Sequence, residues 1–328
     1  MRKRRLHLPA AWILAAALVV LVAPGVGGGS SGTAITTCGQ MVTTNAFLAQ
    51  DLSCAGSGVI VGAANITIDL KGFMLSGDRD SADLGIDDTG GFDGVKVENG
   101  VIRNFGIGVL SDGADTFAVS SVIASGNLVV GIGLNGDSSS VTGSTSSENG
   151  GGINISGALA KISSSTASGN VNGGILVTGD RAAIKSSTTF GNGGAGIGVG
   201  GDSISITAST ANGNAFSGIQ LGNGSDFATI KSSTASGNGD DGIVIPEGSS
   251  ASISSSTASG NATEGIRVDG DAARLKGNRA DANGFQGGTV SDHFGLGIRV
   301  GDFTIPPTGT NVAHANDDSA ECLPASLC

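Results

Sequence analysis

Tyrosine is absent from this 328-residue chain, and its one tryptophan, Trp12, falls within the first 30 residues. Beyond that point the chain lacks the two side chains on which carbohydrate sites most often stack sugar rings. Histidine is nearly as scarce: His7, His293 and His314 are the whole set. With no Cys-x-x-Cys pair either, the donor spacing of a zinc centre is missing. Charged residues make up only 14%, and 17 basic residues stand against 28 acidic ones. That balance argues against nucleic acid and anionic membrane as partners. No segment shows the 3.6-residue apolar period of an amphipathic helix. The longest apolar run, Ala10 to Ala23, is 14 residues, short of the roughly 20 that span a bilayer.

Glycine is abundant, with 58 residues, enough to supply a turn every few positions. Nine asparagines recur at intervals of 21 to 24 residues: Asn104, Asn127, Asn149, Asn170, Asn192, Asn214, Asn238, Asn261 and Asn283. A period of this size signals stacked copies of one small unit. Eight residues before each asparagine from Asn127 onward stands an aliphatic residue: Val119, Val141, Ile162, Ile184, Ile206, Ile230, Ile253 and Leu275. Three before it the residue is small: Ala124, Ser146, Ala167, Thr189, Ala211, Ala235, Ala258 and Ala280. Just after it comes a short alternating segment such as Gly-Ile-Gly-Val or Gly-Ile-Gln-Leu. Short strands of period two, separated by turns, make an all-β coil. Stacking such coils at about 4.8 Å yields a parallel β-helix with aliphatic columns inside and an inward asparagine ladder bonded from coil to coil.

The repeat, with its Gly-Ile-x-Val and Ser-Thr-Ala-x-Gly-Asn elements, resembles that of bacterial secreted right-handed parallel β-helix proteins of the pectate-lyase-like superfamily. So do the segment from Cys38 through Asp51-Leu52-Ser53-Cys54 to Lys71-Gly72 and the tail with Cys322 and Cys328. The resemblance implies the fold, over residues 100–283, with an amino-terminal cap and irregular coils in 31–99 and a carboxy-terminal cap in 284–328. For function it implies only a range, from lyases, hydrolases and epimerases to adhesins. The signatures of the polygalacturonase-like hydrolases are incomplete: Asp-Asp pairs occur at Asp87-Asp88, Asp240-Asp241 and Asp317-Asp318, without GHG or RIK, and the epimerase DPHD motif is missing.

Residues 1–30 read as a secretory signal peptide, with Arg2-Lys3-Arg4-Arg5 before the apolar run. Its removal leaves 13 basic and 28 acidic residues, a net charge of −15. The expected location is extracellular or periplasmic, where four cysteines pair. Of three possible pairings, Cys38–Cys54 and Cys322–Cys328 place one bridge at each end of a rod. Pinned ends suit a solenoid, whose terminal coils otherwise expose core and strand edges.

Carboxylates supply the candidate sites. One turn of the coil carries an acidic column: Asp112, Asp137, Asp180, Asp202, Asp226, Glu247 and Asp271. The same turn carries the apparent insertions, with Ile107–Val119, Ile219–Ile230 and Ile243–Ile253 longer than the usual spacing of nine. A denser group, Asp78, Asp80, Asp83, Asp87, Asp88 and Asp93, lies before the regular repeats. Close carboxylates attract cations, and calcium is the expected ion, at Asp80, Asp83 and Asp87. His293 and His314 with Asp292 form a candidate acid/base group. The expected role is binding or structure toward an extracellular polysaccharide, by a monomer. The alternatives are a diverged lyase, hydrolase or epimerase, and a periplasmic accessory protein using Met41, Met74, His293 and His314.

Overall fold

Each coil turns three corners, and at nearly every corner one residue adopts the left-handed backbone conformation. Between the Gly-Ile strand and the aliphatic-column strand it is Ser138 (φ 59°), Leu159, Arg181, Ser203 or Phe227. At the second corner it is Gly143, Ser164, Ser186, Ala208, Ser232 or Ser255, and at the third Gly126, Glu148, Gly169, Gly191 or Gly213. L-residues with a Cβ reach this region at a cost of about 1–2 kcal/mol. That glycine occupies the third corner in most coils while serine prevails at the second shows how far neighbouring contacts offset the strain.

The computed structural model describes residues 32–246, 250–269, 273–284, 298–300, 311–314 and 322–323. The leader-like segment, Glu247, Asp271, Asp292, His293 and Cys328 lie outside the described residues, and of His314 only its place in a strand is described. Among the described residues every element is a strand, and every pairing is parallel. The Gly-Ile segments build one 13-stranded sheet. The other two strands of each coil belong to a 22-stranded sheet. It bends into two limbs, joined where Lys96–Arg103 and Ala118–Ser125 run through both. The first limb contains the aliphatic column and the second the Thr-Ala-Ser strands, as in Thr166–Ser168.

The expected columns face inward. Val119, Val141, Ile162, Ile184, Ile206, Ile230, Ile253 and Leu275 are all buried, in register from coil to coil. The small column from Ala124 to Ala280 is buried opposite them, on the inner side of the second limb. In the 13-stranded sheet Ile132 and Leu134 point in while Asn135 points out, and later coils repeat this.

The asparagine ladder runs from Asn127 to Asn283. Asn149 Oδ1 accepts both the N–H (2.8 Å) and the Nδ2 (2.9 Å) of Asn127. Asn170, Asn192, Asn214, Asn238, Asn261 and Asn283 repeat the pattern. Asn104 is the correction. Phe105 donates its N–H to Asn127 Oδ1 (3.0 Å) and is wholly buried, so it holds the first rung. Asn104 takes instead the left-handed position (φ 59°) that glycine fills in most later coils.

A second ladder, unforeseen from the sequence, lies at the corner between the limbs. Ser165 Oγ accepts the Ser144 N–H (3.3 Å), and Ser187, Ser209, Ser233 and Ser256 continue it to Asn278 and Asn311. Cys38 and Cys54 form the amino-terminal disulfide, with Cα atoms 5.6 Å apart. Cys322 is buried and disulfide-bonded; its expected partner Cys328 lies outside the described residues.

Candidate functional site

The acidic group before the repeats divides among three places. Asp78, Asp80 and Asp83 occupy the third corner, in the loop between Met74–Ser76 and Leu84–Asp88. There Asp78 and Asp80 cap local turns, accepting the N–H groups of Asp80 (3.1 Å) and Ala82 (2.9 Å). The Asp83 carboxyl is held above its ordinary value by partial burial and then by Asp80 and Asp78. Asp87 points outward from the 13-stranded sheet, in register with Ile60 and Leu110. Asp93 lies past the next turn, at the first corner, and accepts the Asp115 N–H (2.8 Å). Among the described residues no three histidine, cysteine, aspartate or glutamate side chains converge to hold a metal ion. Asp80 and Asp83 share the third-corner loop, while Asp87 stands on the adjoining strand.

Asp88 departs furthest from expectation. Its strand register aligns it with the inward Ser111, and it is fully buried. Oδ1 accepts the Phe92 N–H (3.0 Å) and Oδ2 the Ser111 hydroxyl (3.2 Å). Burial raises its pKa above 3.8 and Asp87 and Asp93 add to this, against the lowering effect of the two hydrogen bonds. A raised folded-state pKa contributes stability that is complete below the unfolded value and is lost as pH rises through the folded value. Asparagine at this position keeps both contacts without the charge. Asp88→Asn is therefore expected to raise the melting temperature at pH 7, the gain vanishing below about pH 4. A pH series of thermal melts checks this; equal melting at pH 7 would remove the buried charge as a source of strain.

Asp137, Asp180, Asp202 and Asp226 share the first corner as the acidic column, with Asp115 rather than Asp112 before them. Each member precedes a left-handed residue, and its carboxylate accepts the N–H of the corresponding residue in the next coil. Asp115 serves Asp137 (2.8 Å), Asp137 serves Ala158 (2.8 Å), Asp180 serves Asp202 (3.0 Å), and Asp202 serves Asp226 (3.0 Å). Asp112 is not a member. It ends Ile107–Asp112 on the outer face and accepts the Asn135 Nδ2 (3.2 Å). The insertion at Ile107 shrinks to a single residue, because Ile107 pairs with Val130 and it is Val109 that aligns with Ile132.

The outer face of the 13-stranded sheet lies between the first and third corners. One column reads Gly133, Asn154, Leu176, Gly198, Gln220, Val244 and Arg267, and beside it run Asn135, Ser156, Thr178 and Gly200. Gly198 and Gly200, in one strand, leave a trough between Leu176–Thr178 and Gln220, which are two strand spacings, about 10 Å, apart. A Cβ at Gly200 would meet nothing within 4 Å. On the third corner Val171 and Phe216 are exposed (74% and 58%), and Leu176 on the face itself is exposed too.

Toward the carboxy-terminal end the same face carries a polar cluster. Asp240 accepts the hydroxyls of Ser217 (3.1 Å) and Thr263 (3.2 Å). Thr263 also contacts Asp241, which is 1% exposed and accepts the Glu264 N–H (3.1 Å). Arg267 Nε lies 3.1 Å from Asp241 Oδ2 and 3.6 Å from Asp269. Asp241, enclosed by three partners, anchors the guanidinium at the surface; Asp240, only half-buried, is the carboxylate that a ligand can reach. The Asp-Asp pair was visible in the sequence, but its partners Ser217 and Arg267 were not. Met41 and Met74 stand on different sheets. A separate depression of about 260 Å³ near Asn45, Phe47 and Asp69 lies on the first limb near the amino-terminal end, far from this cluster.

A family model for the right-handed beta helix region matches residues 173–316. No curated protein sequence matches the chain. Among solved structures, the A-module of the Azotobacter vinelandii mannuronan C-5 epimerase AlgE4 superposes with a TM-score of 0.56 at 12% identity, covering 83% of this chain and 86% of that one. The A-module of epimerase AlgE6 from the same organism gives 0.48 at 14% identity, over 86% and 84%. At such identities the likeness is one of fold. The chain has a right-handed parallel β-helix fold.

Proposed function

We propose that the protein is an extracytoplasmic polysaccharide-binding rod, and that the sugar chain seats on the outer face of the 13-stranded sheet. The trough at Gly198 and Gly200 carries this reading. Its floor is glycine backbone, with Leu176 leaning over Gly198 and with Thr178 and Gln220 on the flanking strands for hydrogen bonds; Phe216, exposed on the third corner, adds an apolar ring. Phe216 offers the kind of stacking surface that the missing tryptophan and tyrosine would supply. The Cys38–Cys54 bridge supports an oxidising location. The activity of the AlgE4 module on mannuronan supports a polysaccharide ligand by analogy of fold alone.

A Cβ at Gly200 meets no neighbour, so Gly200→Phe places a ring over the trough. It is expected to cost at least about tenfold in affinity for the glycan that a binding screen identifies, roughly 1.4 kcal/mol, with melting unchanged. Phe216→Ala is expected to weaken the same binding. A screen in which no glycan is retained, or one in which Gly200→Phe binds as tightly as wild type, counts against this face.

The cluster at Asp240 favours a second reading, cleavage or epimerisation of a uronate-containing chain. Arg267, beyond the buried Val244 in the same column, carries a guanidinium that suits a sugar carboxylate, with Asp240 placed as an acid or base. Incubation with polyuronates, with Asp240→Asn as control, tests it; product formation that depends on Asp240 would make the protein an enzyme.

A further inference from the structure

The outer face of the first limb differs in charge from the rest of the rod. In the strands Lys161–Ser163, Ala183–Lys185, Ser205–Thr207, Thr229–Lys231, Ser252–Ser254 and Arg274–Lys276 the middle residue points in and the flanking two point out. Of those outward positions Lys161, Lys185, Lys231, Arg274 and Lys276 are basic, and the rest are serine, threonine or alanine. There is no carboxylate among them. All five cations are exposed, and among the described residues none is in an ion pair. Five of the 13 basic residues beyond the leader-like segment are thus gathered on one face of a chain rich in acid.

Their order matters as much as their number. Lys185, Thr207, Lys231, Ser254 and Lys276 form one column by strand register. A lysine therefore recurs every second coil, about 10 Å apart along the rod, with a hydroxyl side chain between. Further toward the amino terminus the same column turns acidic, at Asp69 and Glu98, where Lys96 is already paired with Glu98.

We propose that this face is a second binding surface, for a linear acidic glycan lying along the rod axis. A pyranose unit is about one strand spacing long, so alternate units of an extended chain meet successive lysines while the hydroxyl rows meet sugar hydroxyls. Carboxylate or sulfate would serve equally as the anion. The geometry disfavours wider or flatter polyanions. The aspartates of the first corner, Asp180, Asp202 and Asp226, border the face and repel whatever overhangs it. No aromatic side chain stands at the outward positions to stack a base. This surface is separate from the trough proposed above, and each stands or falls without the other.

The test is titration of the purified protein with polygalacturonate, with dextran sulfate and with neutral dextran. Lys185→Glu, Lys231→Glu and Lys276→Glu are combined in one variant. Wild type is expected to bind one or both acidic polymers and not dextran, with affinity falling as salt rises through counterion release. The triple variant is expected to lose roughly tenfold or more in affinity with unchanged melting, since the three side chains are exposed. Gly200→Phe is expected to retain this binding, which separates the two surfaces. Failure to bind either acidic polymer, or equal binding by the triple variant, overturns the proposal. So does stronger retention on single-stranded DNA or on vesicles containing anionic lipid at matched charge concentration.

Discussion

Ile206→Asp is expected to abolish folding of the rod. Ile206 is fully buried, stacked between Ile184 and Ile230 in the aliphatic column. The substitution forfeits about 1.5–3 kcal/mol of side-chain burial and adds the several kcal/mol cost of an unpaired charge away from water. Because each coil is held only by its neighbours, a break in mid-rod separates two half-solenoids with exposed cores. Protease resistance and circular dichroism of the purified variant check this; a variant that melts like wild type would mean that the column does not hold the coils together.

The second large effect is expected from Asn192→Ala. Asn192 Oδ1 accepts the N–H (3.1 Å) and the Nδ2 (2.8 Å) of Asn170. Its own Nδ2 donates to the Ala167 carbonyl (3.0 Å) and to Asn214 Oδ1 (2.9 Å). Alanine removes the acceptor of the buried Asn170 N–H, while Asn170 Nδ2 keeps the Ser146 carbonyl and Asn214 Oδ1 keeps the backbone N–H of residue 192, so a loss of about 1–3 kcal/mol is expected. Asn154→Ala, on the outer face of the 13-stranded sheet, is expected to change stability by no more than about 0.5 kcal/mol. Denaturant midpoints of the two variants make the comparison, and equal midpoints would contradict a ladder that bears stability. Asn212 is a poorer control than its exposed strand suggests, since its Oδ1 accepts the Ser236 N–H (2.9 Å).

What the sequence made legible was the periodic part. A column such as Ile162–Ile184–Ile206 repeats both in spacing and in residue type, and only inward stacking explains that. Single departures were harder to read. Asn104 has the right residue almost at the right interval, but the deciding fact is the adjacent Phe105, whose ring fills the first rung. The serine ladder escaped notice because serine is common on every face of this chain, and its signal, one serine immediately before the recurring threonine, is local and faint. Asp88 looked like one more member of an acidic loop until strand pairing turned it inward. The Asp240 cluster depends on residues from successive coils, Ser217, Asp241 and Arg267, whose proximity comes from stacking and not from sequence distance. Cys38–Cys54 was readable, because a short loop near one end of a rod leaves little choice of partner.

The ladders also make the molecule countable. An asparagine side chain reaches back to the coil before it, as Asn149 does to Asn127, while a first-corner aspartate reaches forward, as Asp115 does to Asp137. Coils between Asn127 and Asn283 therefore present the same asparagine coupling on both faces, like links in a roller chain, with the aspartate row interrupted at Ala158. Insertion or excision of a whole coil there changes the length in one fixed step and leaves the joints mated. Phe105 ends this freedom, since it offers a donor to Asn127 but no amide of its own to a preceding coil. The rod thus has a fixed heel and an extensible shaft, and a chain of this design can change its reach by gene duplication without redesigning a contact.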